Sequence, residues 1–500
     1  MTAPAYRREG ATPRDGRQRA PISDRLLGVL WRKVGIAMVI QDGKATGVKI
    51  AYIGGGSRGW AWGLMSDLAT EESMNGTVCL YDIDFQAAKD NEIIGNKIKE
   101  TEGVKSVWKY EAVRTLEEAL TGADFVVISI LPGTFDEMES DVHTPEKYGI
   151  YQSVGDTTGP GGIVRALRTV PMFREIADAI RSYCPEAWVI NYTNPMTICV
   201  RALYEEFPQI KAFGCCHEVF GTQKLLVEAL ADIAGIQGVE RHEIKTNVLG
   251  VNHFTWLDSA YYHNQDLFPI YAEFADKYAA EGFKKITHDN WMNKYFGCTH
   301  RVKFDLFRRY GLIAAAGDRH LAEFCPAAWY LKNPDVAAGW GFGLTPVSWR
   351  KEDLVRRKER SARLVSGEEK FTLNETGEEG VMQMKALLGL TTLVTNVNIP
   401  NYGQQDGLPY GAVVETNAVF TGDSVTPVLA GGLPSDVLSL VSRISNNQEA
   451  VIEGIFTKDK ELVLDAFCND PLVTCSLEDA RKLYQEMTEN TKKYLEGWEL

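Results

Sequence analysis

The residues of this chain with the clearest chemical potential begin with a glycine-rich turn. Gly54-Gly55-Gly56-Ser57-Arg58-Gly59 follows the apolar run Lys49-Ile50-Ala51-Tyr52-Ile53 and opens a helix-like stretch, Trp60 to Ala69. This is G-x-G-x-x-G between a strand and a helix, the arrangement that cradles a dinucleotide. Gly54 permits a tight turn, Gly56 lets backbone amides approach a pyrophosphate, and Gly59 brings the helix close to the strand. Ser57 and Arg58 lie within the same cofactor turn. A second apolar run, Val78-Cys79-Leu80-Tyr81, ends in Asp82, where a carboxylate would bond the ribose diol and favour NAD over NADP; Asp84 is the nearest substitute.

Further polar clusters follow at strand ends: Asn191-Tyr192-Thr193-Asn194-Pro195, Cys216-His217, Asn252-His253, and Asp318-Arg319-His320. Taken singly, each also has a structural reading. His253 could be a hydrogen-bonded core histidine, Cys216 a buried thiol, and Asn194 a cap for the helix that Pro195 begins. The elements that must carry them alternate strand and helix from residue 48 onward. Ala123 to Ile130 reads as a parallel strand buried on both faces, Val164 to Tyr183 as an amphipathic helix, and Met196 to Phe207 as another. The polar clusters therefore fall on the carboxyl edge of an open sheet, where such folds bind ligands.

The fold expected is α/β, an N-terminal Rossmann-type doubly wound sheet with a C-terminal α+β domain for substrate and oligomerisation. The boundaries read as a flexible extension over 1–47, an NAD-binding domain over 48–245, and a substrate and metal-site domain over 246–500. The extension sets Arg7, Arg8, Arg14, Arg17, Arg19 and Arg25 among Pro, Gly and Ala, with acidic residues that argue against a transit peptide, and reads as an upstream segment ahead of a working start at Met38. A net charge of −14 argues against nucleic acid as a partner. Nine cysteines without a paired framework suit a reducing, cytoplasmic setting. Leu26 to Ile40 is interrupted by Arg32 and Lys33, so no membrane span is expected.

Together the turn, Gly155 to Gly162, Asn191 to Pro195, Cys216-His217-Glu218-Val219, Gly250 to Trp256, Gly317 to Phe324 and the late stretch Asn398 to Glu415 resemble glycoside hydrolase family 4. The resemblance runs from about Lys49 to about Tyr484. It implies glycosidases that use NAD and a divalent metal, usually Mn²⁺, and cleave by elimination rather than by displacement between two carboxylates. NAD would take a hydride from C3 of the sugar, a base would remove the C2 proton, the glycosidic oxygen would leave C1, and water addition and hydride return would complete the turnover.

By family position Cys216 and His253 would be the metal ligands, and His217 the proton donor or a residue that orients the substrate. Asn194 would bind a sugar hydroxyl with Asn191 assisting. The base is read as Asp318, with His320 and Tyr310 in reserve. No arginine marks a phosphate clamp near Ile130 to Gly133, and Glu218 resembles the α-galacturonidase branch. The substrate implied is thus a small uronide or oligosaccharide, with Arg319, Arg165 or Arg168 against its carboxylate. An α-galactoside or α-glucuronide, a malate- or lactate-type dehydrogenase, and an NAD-sensing protein stand as the alternatives. A homodimer or homotetramer is expected.

Overall fold

The computed structural model describes residues 38–283, 296–374 and 376–498. Six strands form the parallel heart of the fold. A short strand β1 (Val39–Gln41) hairpins onto β2 (Lys44–Ile53), which is followed by β3 (Met74–Tyr81), β4 (Lys109–Val113), β5 (Phe125–Ile128), β6 (Trp188–Asn191) and β7 (Lys211–Gly214). Their spatial order is β4-β3-β2-β5-β6-β7, all parallel, the 3-2-1-4-5-6 order of a dinucleotide-binding sheet. All four residues of β5 are buried, because helices cover both faces. The long helix Gly159–Tyr183 supplies much of that cover, with Val164, Leu167, Val170, Phe173, Ala177 and Ile180 buried at helical spacing. The chain order reverses between β2 and β5, which opens a crevice at their carboxyl ends.

The second half adds a smaller antiparallel sheet: β8 (Ile244–Val251), β9 (Phe254–Tyr262), β10 (Gln265–Asp266) and β11 (Ile313–Ala314). Val251 pairs with Phe254, so Asn252 and His253 are a two-residue hairpin turn. His253 takes φ +65, a left-handed conformation that a side chain other than glycine's adopts at a cost.

Two of the expected boundaries differ from the packing. Residues 38–47, assigned to the extension, include β1 and the start of β2, held by Val39↔Thr46 and Ile40↔Ala45 pairing; residues 1–37 lie outside the described residues. Nor does a division at 245/246 separate two cores. After β12 (Leu393–Pro400) and β13 (Gln405–Asp406) comes β14 (Val413–Thr421), then β15 (Ser424–Pro427). β12 joins β7 antiparallel through Asn398↔Gly214, and β14 and β15 continue the same sheet. One cluster of buried side chains holds Val164 and Leu203 from the first half beside Val251, Val441 and Leu483 from the second. Among the described residues, no helix is long and apolar enough to cross a membrane.

Candidate active site

The turn after β2 is built by backbone. Gly54 has φ +94, and a Cβ there would stand 2.0 Å from the Ser129 carbonyl oxygen on the neighbouring strand's exit, so only glycine fits. The amides of Gly54 and Gly55 both reach the Tyr81 carbonyl at 2.9 Å. The amide of Gly56 donates to Asp82 at 2.8 Å, and Asp82 also accepts from the Asp84 amide at 2.9 Å. Burial raises the Asp82 pKa against these two bonds. Asp84 caps the helix Phe85–Lys97 through the Ala87 amide, which leaves Asp82 as the acid at the crevice.

The close approach read for Gly59 is not made there; the tight contact is between the turn and β3. A Cβ on Gly59 would meet only the movable Arg357 guanidinium, whereas one on Gly55 would press within 2.8 Å of the Leu80 backbone. Ser57 accepts from the Trp60 amide at 3.2 Å, and Arg58 leaves a buried Nε without a partner. Asn91, which the motif does not contain, ties the turn together: its amide donates to the carbonyls of Gly55 at 2.7 Å and Ser57 at 3.0 Å and accepts from Trp62 at 2.8 Å.

Beside this turn lies a cavity of about 420 Å³ whose walls include Trp60 at the start of the helix Trp60–Thr70, Asn194 from the sheet rim, and Cys216, His217, His253, Asp318, Arg319 and His320. Within it the ligand atoms of Asp156, His253 and His320 lie within 4.8 Å of one another. The His253 Nδ1 pairs with Thr157 Oγ1 at 3.0 Å, so Nε2 is its free ligand atom. The His253 and His320 ring centres lie 3.9 Å apart, with the planes tilted by 36°. Cys216 shares the cavity, but its thiol is outside that closest group of donors.

Opposite charges shape the electrostatics of the cavity. Burial alone would raise the Asp156 carboxyl, yet Arg165, His320 and His253 bring it down to about 2. Glu218 is also brought to about 2 against burial by His320, His253 and His217, aided by the Gly317 amide at 2.6 Å. Burial, then the neighbouring His320, lowers His253 to about 3. Burial pushes the Cys216 thiol well up, with Glu415 and Glu218 adding to it. Beneath the metal-ligand candidates, Glu415 accepts from Asn252 at 3.1 Å and Asn396 at 2.7 Å, and Asn396 also reaches the Cys216 carbonyl at 3.3 Å.

Models of the family 4 glycosyl hydrolase and of its C-terminal domain match residues 49–232 and 248–473. An α-galacturonidase from Thermoanaerobacterium saccharolyticum is 68% identical over 93% of this chain and all of its own length. The chain belongs to glycoside hydrolase family 4. A crystal structure from Bacillus subtilis, 55% identical, superposes with a TM-score of 0.84 over 88% of this chain and all of that one. A 6-phospho-α-glucosidase from gut microorganisms, solved with NAD and Mn²⁺, shares the fold at a TM-score of 0.73 and 20% identity, over 90% of this chain and 99% of that one.

Several side chains of this family 4 member are placed differently from the reading of the motifs. Asp318 is fully buried and its two oxygens accept the amides of Val302 at 3.3 Å and Lys303 at 3.2 Å, so it caps the helix Arg301–Tyr310. Burial raises its pKa to about 6. His320 instead leaves Nδ1 buried without a partner. Tyr310 packs edge-on against Trp256 and is not among the cavity residues.

Asn191 folds back on its own turn, accepting the Thr193 amide and donating to the Thr193 carbonyl, both at 3.0 Å, and it does not line the cavity. Asn194 does: its Oδ1 is buried and unpartnered at the cavity wall. Arg168 is spent on Asp141 and the Pro132 carbonyl, and Arg165 bonds the Asn194 carbonyl at 3.0 Å. Neither lines the cavity.

Glu378 and Arg350 are cavity residues that no motif announced. Glu378 bonds the His217 Nδ1 at 2.5 Å from 161 positions away and raises the His217 pKa. The second, Arg350, is half-buried on the cavity wall. Only a comparison of many sequences or a structure brings such distant residues together.

Proposed function

We propose that this chain hydrolyses α-linked galacturonides by an oxidation and elimination cycle that uses NAD and a divalent metal. The observation that carries the reading is one cavity in which the rim of the dinucleotide turn meets a cluster of imidazole, carboxylate and thiol donors. The 68% identical α-galacturonidase supports the choice of sugar. The Gly54 to Gly59 turn, with Asp82 at the crevice and an unpartnered Arg58 Nε, suits NAD. His253 and Cys216, with Asp156 in reach, suit a borderline divalent ion such as Mn²⁺. When bound, NAD supplies reversible oxidation of the C3 alcohol and the ion polarises the neighbouring sugar oxygens.

The remaining work belongs to the protein. Asn194 Oδ1 accepts a sugar hydroxyl and fixes the ring beside the sheet rim. His217, kept protonated by Glu378, donates its Nε2 proton to the glycosidic oxygen as the bond to C1 breaks. His320, held below the usual imidazole range chiefly by burial, is neutral and takes the C2 proton on Nδ1. This replaces Asp318, whose oxygens are committed to backbone amides. Thr157 orients His253, and Asp318 acts indirectly by fixing the helix start beside the cavity.

The test is a panel of aryl α-galacturonide, α-glucuronide, α-galactoside and α-glucoside 6-phosphate, assayed with NAD, Mn²⁺ and a thiol reductant while NADH absorbance is followed. The expected result is phenol release from the galacturonide without accumulation of NADH. One NADH per substrate would instead identify a simple dehydrogenase, and preference for a neutral or phosphorylated sugar would overturn the uronide.

A further inference from the structure

A uronate carries its charge at C6, and the cavity must neutralise it. Three of the four arginines near this cavity are already engaged. Arg168 chelates Asp141 with both terminal nitrogens, and Arg165 is bonded to the Asn194 carbonyl. Arg319 lines the cavity, but its Nη2 serves the Ser153 carbonyl and Thr345, and its Nε the Gly343 carbonyl at 3.3 Å. Arg350 differs from all three. It is on the cavity wall, half-buried, and makes no hydrogen bond or ion pair with another described residue.

The placement of Arg350 is unfavourable for a cation without a partner. It stands in the opening turns of the helix Val347–Ser366, at the positive end of the helix dipole. A second cation stands close by: the guanidinium of Arg319 is 5.0 Å, and that of Arg350 5.7 Å, from the centre of the Phe296 ring. Burial and the charge of Arg357 lower the Arg350 pKa, while Asp156 is the main opposing influence. Asp156 is shared with Arg165 and two histidines. Asp156 and Asp353 act on Arg350 only at a distance, no carboxylate among the described residues bonds it, and its open fork matches the two oxygens of a carboxylate.

We propose that Arg350 is the residue that binds the C6 carboxylate of the sugar, with the Phe296 ring holding its guanidinium plane and Arg319 adding charge from behind. This rests on the uronide reading above. Arg350 would then set specificity: its fork is satisfied by a uronate and left unpaired by a neutral C6 hydroxyl.

The experiment compares wild type and Arg350→Gln on aryl α-galacturonide and aryl α-galactoside, and measures NAD affinity and thermal midpoint alongside. A wild type that does not prefer the galacturonide overturns the uronide reading and this inference with it. With that preference in place, Arg350→Gln is expected to lower kcat/KM on the galacturonide by about 100-fold or more, mostly through KM, and to leave the galactoside within a few-fold. NAD affinity should not change.

Equal losses on both sugars, or an unchanged preference, would overturn the role of Arg350 while sparing the uronide reading. If Arg350→Gln lowers the thermal midpoint, Arg350→Lys decides. It should keep the fold and recover part of the galacturonide preference through its charge, and failure to favour the galacturonide over Gln-like levels in a folded Lys variant would count against the proposal. Protection of wild type against heating by free galacturonate but not galactose, lost in the folded variant, is the matching binding readout.

Discussion

The nucleotide turn and the cavity beside it are built by different means. At the nucleotide end the contacts are backbone, supplied by six consecutive residues and one nearby acid: Gly54 against Ser129, Gly56 against Asp82, amides against Tyr81. At the sugar end they are side chains from segments far apart: Asp156 with His253 and His320, and His217 with Glu378. A backbone site is fixed by conformation and needs glycines where a Cβ would collide. A side-chain site is fixed by packing between elements, and each member depends on a partner elsewhere in the chain. The first should tolerate change in the second without losing its ligand.

The strongest attack on that separation is removal of a residue proposed as a metal ligand. Cys216→Ser and His253→Ala are each expected to abolish turnover, a loss of more than about 10³-fold, because the polarisation of the sugar oxygens is worth several kcal/mol. NAD affinity, measured by fluorescence titration, should be retained. If NAD binding collapses as well, the ends are coupled and the comparison fails.

A smaller effect should follow from Glu378→Gln, near 10²-fold in kcat. The carboxylate bond raises the His217 pKa, so the acid form persists to higher pH in the parent enzyme. Loss of that bond should move the alkaline limb of the rate profile to lower pH. Aryl substrates with good leaving groups should be less affected than poor ones, since they need less proton donation; a uniform loss would show that Glu378 only props the wall.

On the nucleotide side, Asp82→Ala should weaken NAD by about 1–3 kcal/mol in calorimetry, with kcat at saturating NAD little altered. An unchanged affinity would place the ribose acid elsewhere. The least effect is expected at Gly59, whose φ of −155 lies outside the left-handed region. Gly59→Ala should shift stability by less than about 1 kcal/mol in denaturant unfolding, because only Arg357 has to move. Gly54→Ala at φ +94 should cost clearly more. Equal costs would mean that the turn does not depend on its conformation.

The same contrast sets how much could be read without a structure. The parallel sheet, its switch point and the acid after β3 follow from local patterns, since strand, turn, helix and strand are contiguous. Cys216, His217 and His253 stand out because of residue type at strand ends. What escaped has one cause: a residue's type is fixed by its own position, but its role by its neighbours in space. Asp318 has the chemistry of a base and the place of a helix cap; the Val302 and Lys303 amides decide between them. Asn191 and Asn194 are identical residues three apart, one closing its own turn and one facing the cavity. Glu378 and Arg350 carry no signal of their own. β12 to β15 read as a separate domain because an antiparallel extension of a parallel sheet leaves no local trace.

That extension has a consequence for biosynthesis. During translation β7 is completed long before β12 emerges, and the antiparallel partner that covers its outer side, Asn398 against Gly214, is the product of a much later stretch of message. At roughly 5–20 residues per second the nascent chain carries an open sheet edge for on the order of ten seconds. Through the same interval Cys216 lacks the Asn396 and Glu415 floor beneath it. The nucleotide end can take shape while the ribosome is still at work, whereas the sugar end is finished only once nearly all the chain has been made, an order that pulse-labelled hydrogen exchange on stalled chains would read as early protection of β2 and late protection of β7.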